Sequence, residues 1–356
     1  MKIGFKNIMV LLALILGGSS CDSFLDVQPK GEVLKDAKGF ENALYGVYAK
    51  MGSTNLYGQN LSYSALDLMA QYYTSTNNEE VEPLIKYDYT NTKAEDLFYN
   101  IWCDMYSNIA YANNVLEHLE KFSPADMQFY NIYKGEALGL RAFMHFDLLR
   151  IFSEQITVNE SADGIPYSTR FSLFAPDILK SKDVYKRIIS DLRSAEQLLD
   201  DEELYASASS NANFLKDQNI HFNLQAVQAT LARVYLTEGT LDSALYYAQQ
   251  VIQAPGLSLL DYTDIAGDLA GKLSSKETVF GIYSKNFAEP VIKILHNSQT
   301  AYSFEMRYNI QQLYQINGAG NDYRWGAWYT YNNTIKYWKL DKLTDTYVLN
   351  NTEYNR

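Results

Sequence analysis

The sequence predicts a mainly α-helical protein, a scaffold of tetratricopeptide-like helical hairpins with long inserted loops and minor β structure. Apolar residues recur every three or four positions through the middle of the chain, as they do in amphipathic helices. A degenerate tetratricopeptide pattern covers residues 230–256. Strand and turn signals mix only beyond residue 257. The 47 % hydrophobic content of the 356 residues is typical of a globular protein with a substantial core.

Residues 1–20 have the pattern of a bacterial lipoprotein signal peptide. Two lysines precede an apolar run at residues 8–16, and small residues then lead to Cys21. The run is too short to span a bilayer, which needs about 20 apolar residues. We therefore expect residues 1–20 to be a signal peptide, Cys21 to be lipidated and residues 21–35 to form a tether. A plain signal peptide with an incidental cysteine is the alternative.

Predicted helices follow one another along the chain, and each is recognised by its caps and its apolar spacing. Ser123 is the expected N-cap of one of them, and Pro124 is its expected first residue. Gly135 and Gly139 lie about one turn apart in that helix, and we interpret them as packing residues that let a neighbouring helix come close. This helix and the one before it are expected to form a hairpin. The predicted spans are 36–51, 61–73, about 95–122, 123–152, 181–199, 222–238 and 241–253.

The last two predicted helices carry the repeat pattern. In the tetratricopeptide template, small residues lie where two helices touch. Leu231, Ala232 and Tyr235 occupy positions of the first helix. Ala244 follows Ala232 at the required spacing, and Pro255 lies near the expected end of the unit. The remaining template positions do not match, so the pattern indicates a short, solenoid-like scaffold rather than a regular repeat array.

Charge and motif content argue against several classes of function. The net charge of −12 and the lack of a basic stripe argue against nucleic acid as a partner. The four histidines lack the spacing of a metal site, and the sequence has neither a G-x-S-x-G motif nor a complete phosphate-binding loop. We therefore predict no catalytic residue, no metal and no cofactor. Cys103, between Trp102 and Met105, is predicted to be a small buried core residue.

Aromatic residues make up 14 % of the chain, with 30 Tyr, 16 Phe and 4 Trp. Tyr and Trp in loops offer a ring face to a sugar and polar neighbours to its hydroxyl groups. One aromatic group lies at residues 321–331, and another flanks a polar loop at residues 74–92. Packing in the interior is the alternative for each member. The candidate ligand-binding residues are Trp325, Trp328, Tyr323, Arg324, Tyr72, Tyr73 and Tyr87.

Five stretches follow one another in this order between Cys21 and residue 252. They are "CDSFLDVQPKGEV", "FENALYGVYAKM", "IWCDMYSNIAYANNVLEHLE", "GEALGLRAFMHFDLLRIFSE" followed by "GIPYST", and "QAVQATLARVYLTEGTLDSALYYAQQVI". Together they resemble the SusD/RagB family of outer-membrane lipoproteins from Bacteroidetes. The resemblance implies a glycan- or nutrient-binding subunit without catalytic activity, seated on the extracellular face of a TonB-dependent transporter of the SusC/RagA type. Asp22 is similar to the acidic signal that directs such lipoproteins to the cell surface.

The resemblance places a SusD-like helical domain at residues 36–356. Family members usually continue beyond a segment like "TIKYWK", so we expect the C-terminal part of this domain to be incomplete. The expected ligand is an oligosaccharide or another nutrient, of unspecified identity, and the expected location is the outer membrane, through the N-terminal lipid. Two alternatives stay open: a tetratricopeptide scaffold that binds only proteins, and a lipid-anchored glycosidase, which would need two essential carboxylates.

Overall fold

The computed structural model describes the chain from residue 34 onward, with gaps. Cys21, the signal peptide and most of the tether lie outside the described residues, so the predictions made for them stay predictions. The described residues are 34–75, 78–172, 174, 176–200, 213–215, 218–265, 276–284, 287–296, 305–306, 322–333, 337–340, 346–349 and 352–355.

Most of the described chain is helical, which confirms the predicted fold class. The helices are α1 (Ala37–Met51), α2 (Ala65–Met69), α3 (Glu82–Ile85), α4 (Thr92–Leu119), α5 (Tyr130–Phe152), α6 (Ser181–Leu199), α7 (Leu224–Glu238), α8 (Leu241–Ile252), α9 (Tyr262–Ile265), α10 (Ala288–Val291) and α11 (Tyr323–Trp328). Two 3₁₀ turns, Asn213–Leu215 and Gln218–Ile220, precede α7, and a π-helical turn, Ile292–His296, continues α10. None of the helices in the described ranges combines the length and the apolarity that a bilayer crossing requires.

The strands are short and form antiparallel pairs. They are β1 (Tyr73–Thr74), β2 (Asp163–Pro166), β3 (Ile178–Lys180), β4 (Glu305–Met306), β5 (Tyr329–Asn332), β6 (Tyr337–Leu340), β7 (Thr346–Leu349) and β8 (Thr352–Asn355). In the described chain β1 pairs with β4, β2 with β3, β5 with β6, and β7 with β8. The β1–β4 pair sets Tyr73 opposite Met306, and β4 also contacts β6. Residues that are far apart in the chain therefore meet.

The long helices stack in chain order. α4 packs on α5, α5 on α6, α6 on α7 and α7 on α8, while α1 covers α4 and α5. The hairpin predicted for the two middle helices is therefore confirmed. A Cβ atom on Gly135 would lie 2.6 Å from Cγ of Leu199, and one on Gly139 would lie 2.5 Å from Cδ1 of Phe222. Both glycines are packing residues, as predicted, because a side chain at either position would collide with a core neighbour.

Two predicted helix boundaries are wrong. α5 begins at Tyr130 and not at Ser123. The Ser123 hydroxyl donates a hydrogen bond to the Asp126 carboxylate in a local turn. Phe129, just before the helix, has a left-handed backbone with φ of 61°. The helix predicted at residues 61–73 is only the short α2. Turns occupy the chain before it, and Gln71, with φ of 62°, ends the helical path after it.

The prediction for Cys103 is also wrong, because its side chain is exposed. Ile101 and Met105 on the same helix are fully buried, whereas Trp102 is half-buried. Successive residues of an α-helix are rotated by about 100° around its axis, so a residue between two buried positions can still face outward. Cys103 lies on that outer face.

A second, smaller core lies beside the main one and supports the site described next. Its buried members are Tyr63, Ala65, Leu68, Tyr73, Leu84, Ala94, Val291, Ile294 and Leu295. Leu340 of β6 packs against them. This small core therefore joins α2, α3 and the start of α4 to the α10 region, which lies about 200 residues later in the chain.

Candidate functional site

A polar cleft of about 710 Å³ opens beside the small core. Its walls are the turns at residues 54–64, the loop at 78–81, the first two turns of α4 and residues 289–294. Five of its lining residues are amides, namely Asn55, Gln59, Asn60, Asn78 and Asn100. We call it the amide cleft. Its volume is in the range of pockets that hold small ligands, about 300 to 1,000 Å³.

The first turns of α4 supply one wall. Asn91 caps the helix, since its side-chain oxygen accepts a hydrogen bond from the backbone N–H of Lys93 at 3.0 Å. Lys93, Asp96 and Asn100 follow at spacings of three and four, so they share one face of the helix, and this face lines the cleft. Farther along the same helix, Ile101, Met105 and Ile109 are fully buried. One helix therefore serves both the core and the site.

The turn segment at residues 54–64 supplies the opposite wall and is held firmly. The Asn55 side chain donates a hydrogen bond to Asp104 Oδ2 at 2.7 Å, and Lys50 Nζ lies 2.6 Å from Asp104 Oδ1. These two donors hold the pKa of the Asp104 carboxyl below its usual range. Gly58 has backbone oxygens of Gly52 and Ser53 where a Cβ atom would lie, so the tight turn requires a glycine there.

Three amides of the cleft keep their full hydrogen-bonding capacity. The side chains of Gln59, Asn60 and Asn100 make no hydrogen bond with any residue that the structure describes. Asn78 is different, because its side-chain oxygen accepts a hydrogen bond from the backbone N–H of Glu80 at 3.1 Å. A free amide offers two donors and one acceptor with two lone pairs. The cleft can therefore both donate to and accept from the same ligand.

Charged groups of both signs line the cleft, but they are not equally compensated. Two lysines line the cleft, Lys93, whose Nζ lies 3.5 Å from Glu80 Oε1, and Lys293. Asp96 and Glu289 have no cationic partner among the described residues. No group of three or more His, Cys, Asp or Glu side chains suited to a metal ion occurs in the part of the chain that the structure describes. The polar groups of the cleft are thus arranged for hydrogen bonding.

The tyrosines predicted around the first loop differ in exposure. Tyr72 is 61 % exposed and Tyr87 is 50 % exposed, so both can meet a ligand. The Tyr87 hydroxyl donates to the backbone oxygen of Met69 at 2.8 Å, which fixes its ring over α2. Tyr73 is only 6 % exposed and packs in the small core. We therefore assign Tyr73 to the core and not to a stacking surface.

The late aromatic residues lie in a helix and not in the strand or loop that their pattern predicts. Tyr323, Arg324, Trp325 and Trp328 all belong to α11, and only from Tyr329 onward is the chain a strand. The helix forms because the Asp322 side chain accepts from the backbone N–H of Arg324 at 3.1 Å, which caps its first turn.

The rings of this helix already have partners within the protein. Trp325 stacks on Tyr329 with ring centroids 5.2 Å apart, and the Arg324 guanidinium lies 5.9 Å from the Trp328 ring. Both tryptophans are half-buried. The strand that follows pairs with β6, and β6 contacts β4, the partner of β1. The two predicted aromatic groups are thus connected through neighbouring strand pairs, and their role in binding stays a prediction.

No pattern in the sequence points directly to the amide cleft. Its residues come from three stretches that are far apart in the chain, and Asn or Gln in a turn is ordinary. The amide-rich run "TNLYGQNLS", residues 54–62, is the one local signal that points to it.

Helical hairpins stacked in chain order, with a polar cleft beside them, define a protein of the tetratricopeptide-like class. Residues 23–236 match a SusD-like family model with the description "Starch-binding associating with outer membrane". This match covers more than half of the chain, and the protein belongs to the SusD-like (SusD/RagB) family.

Individual relatives agree with this assignment. A SusD-like protein from Formosa agariphila is 29 % identical over 209 residues, which are 55 % of this chain and 38 % of that protein. A putative sugar binding protein from Bacteroides vulgatus shares the fold with a TM-score of 0.69 and 20 % identity, over 88 % of this chain and 68 % of the other. A SusD superfamily protein from Bacteroides thetaiotaomicron has a TM-score of 0.68 and 21 % identity, over 87 % and 70 %.

Proposed function

We propose that this protein binds an oligosaccharide in the amide cleft at the surface of the outer membrane, without catalysis, and delivers it to a TonB-dependent transporter of the SusC/RagA type. The observation that carries the proposal is the set of three unengaged amides, Gln59, Asn60 and Asn100, in one concave site. Sugar hydroxyl groups are donors and acceptors at once, and so are amides. The family description, which names starch binding and the outer membrane, supports the same ligand class and location.

Aromatic side chains supply the stacking faces in this proposal. The exposed rings of Tyr72 and Tyr87 lie on the chain segment that leads into the cleft wall, and α11 contributes Trp325 and Trp328. A sugar ring places its C–H face on an aromatic ring while its hydroxyl groups reach neighbouring polar side chains. Lipidation of Cys21 holds the protein at the membrane.

The proposal is tested by binding measurements on the purified protein. A panel of oligosaccharides is first screened by isothermal titration calorimetry. For each ligand found, Gln59→Ala and Asn100→Ala should each weaken binding by about fivefold, since one hydrogen bond contributes about 1 kcal/mol. Asn114→Ala, on the same helix as Asn100 and outside the cleft, is the matched control and should bind normally. Unchanged affinity in both cleft variants would contradict the proposed site.

One observation favours the glycosidase alternative, because two carboxylates, Asp96 and Glu289, line the same cleft. Glycosidases use such a pair, one member as acid and the other as nucleophile or base. Prolonged incubation of the protein with each bound oligosaccharide, followed by an assay for new reducing ends, separates the two functions. We expect no new reducing ends to form. New reducing ends that form with the unchanged protein and not with Asp96→Asn would show that the protein is a hydrolase.

A further inference from the structure

We propose that the amide cleft selects uncharged oligosaccharides and rejects anionic ones, such as glycans that carry uronate or sulfate groups. This inference rests on the proposed function, because it takes the cleft as the glycan site. It adds the substrate class, which follows from how the charges of the cleft are compensated.

The lysine on the α4 wall is already paired with a carboxylate. Lys93 lies 3.5 Å from Glu80 across the cleft, so its ammonium group has an anionic partner before any ligand enters. Arginine is the side chain best suited to hold a carboxylate or a sulfate, since its guanidinium group binds both oxygens. The described lining of the cleft has no arginine.

The negative charge of the cleft is in excess. Asp96 and Glu289 line it from different walls, and neither has a cationic partner among the described residues. The chain around one wall adds to this excess, because residues 78–96 hold six Asp and Glu but only two Lys. Both of these lysines are paired with a glutamate, Lys86 with Glu82 and Lys93 with Glu80. The lining as a whole holds three carboxylates, Glu80, Asp96 and Glu289, and two lysines, Lys93 and Lys293. Lys293, like Lys93, already has an interaction within the protein, so an anionic ligand would meet a lining with net negative charge.

An uncharged sugar makes use of the same groups. Its hydroxyl groups can donate to the carboxylate oxygens of Asp96 and Glu289, and hydrogen bonds to an ionised acceptor are stronger than those between neutral groups. Gln59, Asn60 and Asn100 then supply both donors and acceptors for the remaining hydroxyl groups. The cleft thus favours a ligand that has many hydroxyl or acetamido groups and no net charge.

The test compares oligosaccharides that differ only in charge. The probes are malto-, cello-, manno- and galacto-oligosaccharides, and the same compounds with their primary alcohols oxidised to carboxylates. We expect the purified protein to bind at least one neutral compound and to bind its oxidised form at least about tenfold more weakly at low ionic strength. The difference should shrink as salt is added, because salt screens exposed charges.

Two double variants complete the test, and their melting temperatures verify that they fold. Asp96→Asn with Glu289→Gln should bind the neutral compound a few-fold more weakly, since two strong acceptors are lost, and the oxidised compound more tightly. Asp177→Asn with Asp242→Asn removes the same charge from exposed positions outside the cleft and should retain the discrimination.

The outcomes separate this inference from the proposed function. Equal or tighter binding of the oxidised compounds, or a discrimination that survives in the cleft variant, would overturn the selection of uncharged ligands and leave glycan binding in place. Absence of binding to every neutral and oxidised compound would overturn the proposed function and this inference with it.

Discussion

Gly139 offers a sharp test of how closely the scaffold is packed. A Cβ atom at this position would lie 2.5 Å from Cδ1 and 2.6 Å from Cε1 of Phe222, about 1 Å closer than carbon atoms normally approach. The ring cannot move away freely, because it is 1 % exposed and packs edge-on against Phe143 at 5.5 Å and Phe280 at 5.2 Å. Gly139→Ala should therefore overpack the contact between α5 and the start of α7.

The magnitude follows from two opposing effects on the free energy of unfolding. Overpacking of a tight core costs about 1 to 3 kcal/mol. Alanine in a helix interior stabilises by about 1 kcal/mol relative to glycine. Gly46 lies inside α1, where a Cβ atom would meet nothing within 4 Å. Gly46→Ala therefore has the stabilising effect of higher helix propensity and no steric collision. The difference between the two variants is thus the overpacking cost alone, about 1 to 3 kcal/mol.

The assay is urea unfolding of both variants and the unchanged protein, followed by far-ultraviolet circular dichroism. We expect Gly46→Ala to raise the unfolding midpoint, and Gly139→Ala to lie below Gly46→Ala by the stated difference. Equal stabilisation of both variants would refute the close approach of α5 to Phe222, and with it the role of this glycine in the helix stack.

Three further predictions concern pH, the anchor and the late aromatic residues. Burial lowers the pKa of His145 from 6.5 to about 3, so the unfolded chain takes up a proton before the native one does. The free energy of unfolding should therefore fall as the pH drops below 6.5, by about 2 kcal/mol at pH 5. The urea midpoint of His145→Gln should depend less steeply on pH than that of the unchanged protein, and an equal dependence would refute this role of His145. Cys21→Ala should give a secreted or periplasmic protein that is not attached to the membrane, and membrane retention in cells without the transporter would argue against lipid anchorage. Trp325→Ala or Trp328→Ala should weaken glycan binding by about thirtyfold, or about 2 kcal/mol, with little change in melting temperature; a large drop in melting temperature or unchanged affinity in both would make these residues structural.

The sequence predicted the elements whose signals are local and strong. α6 has the bounds that its pattern predicted, Ser181–Leu199, because its apolar residues recur regularly and a polar segment follows it. The start of α5 was missed, since Ser123 and Pro124 are typical of a helix start but also of the turn that they form here. α11 was missed because the aromatic run "YRWGAW" is typical of a strand, and only the capping residue Asp322 indicates a helix.

The candidate site was harder to predict than the fold for a physical reason. A core position is indicated by periodic apolar residues, whereas a cleft depends on which polar residues have no partner after folding. Asn55 and Asn100 look alike in the sequence, yet Asn55 is bound to Asp104 and Asn100 has no partner among the described residues. Only the contact between residues 54–100 and 289–294 gives the amides a shared cavity.

Three of the segments that wall the amide cleft differ in how firmly they are held. The α4 wall is the end of a 28-residue helix packed in the main core, and the turn wall is tied to that helix through Asn55 and Asp104. The third wall is the four-residue α10 with its π-helical turn, which rests on the small core through Val291, Ile294 and Leu295. Groups on the first two walls are preorganised, so we expect them to contribute most to the affinity of the proposed glycan site. Glu289 lies on this short third wall, so we expect a substitution there to alter the ligand preference of the proposed site at a small cost to the stability of the scaffold.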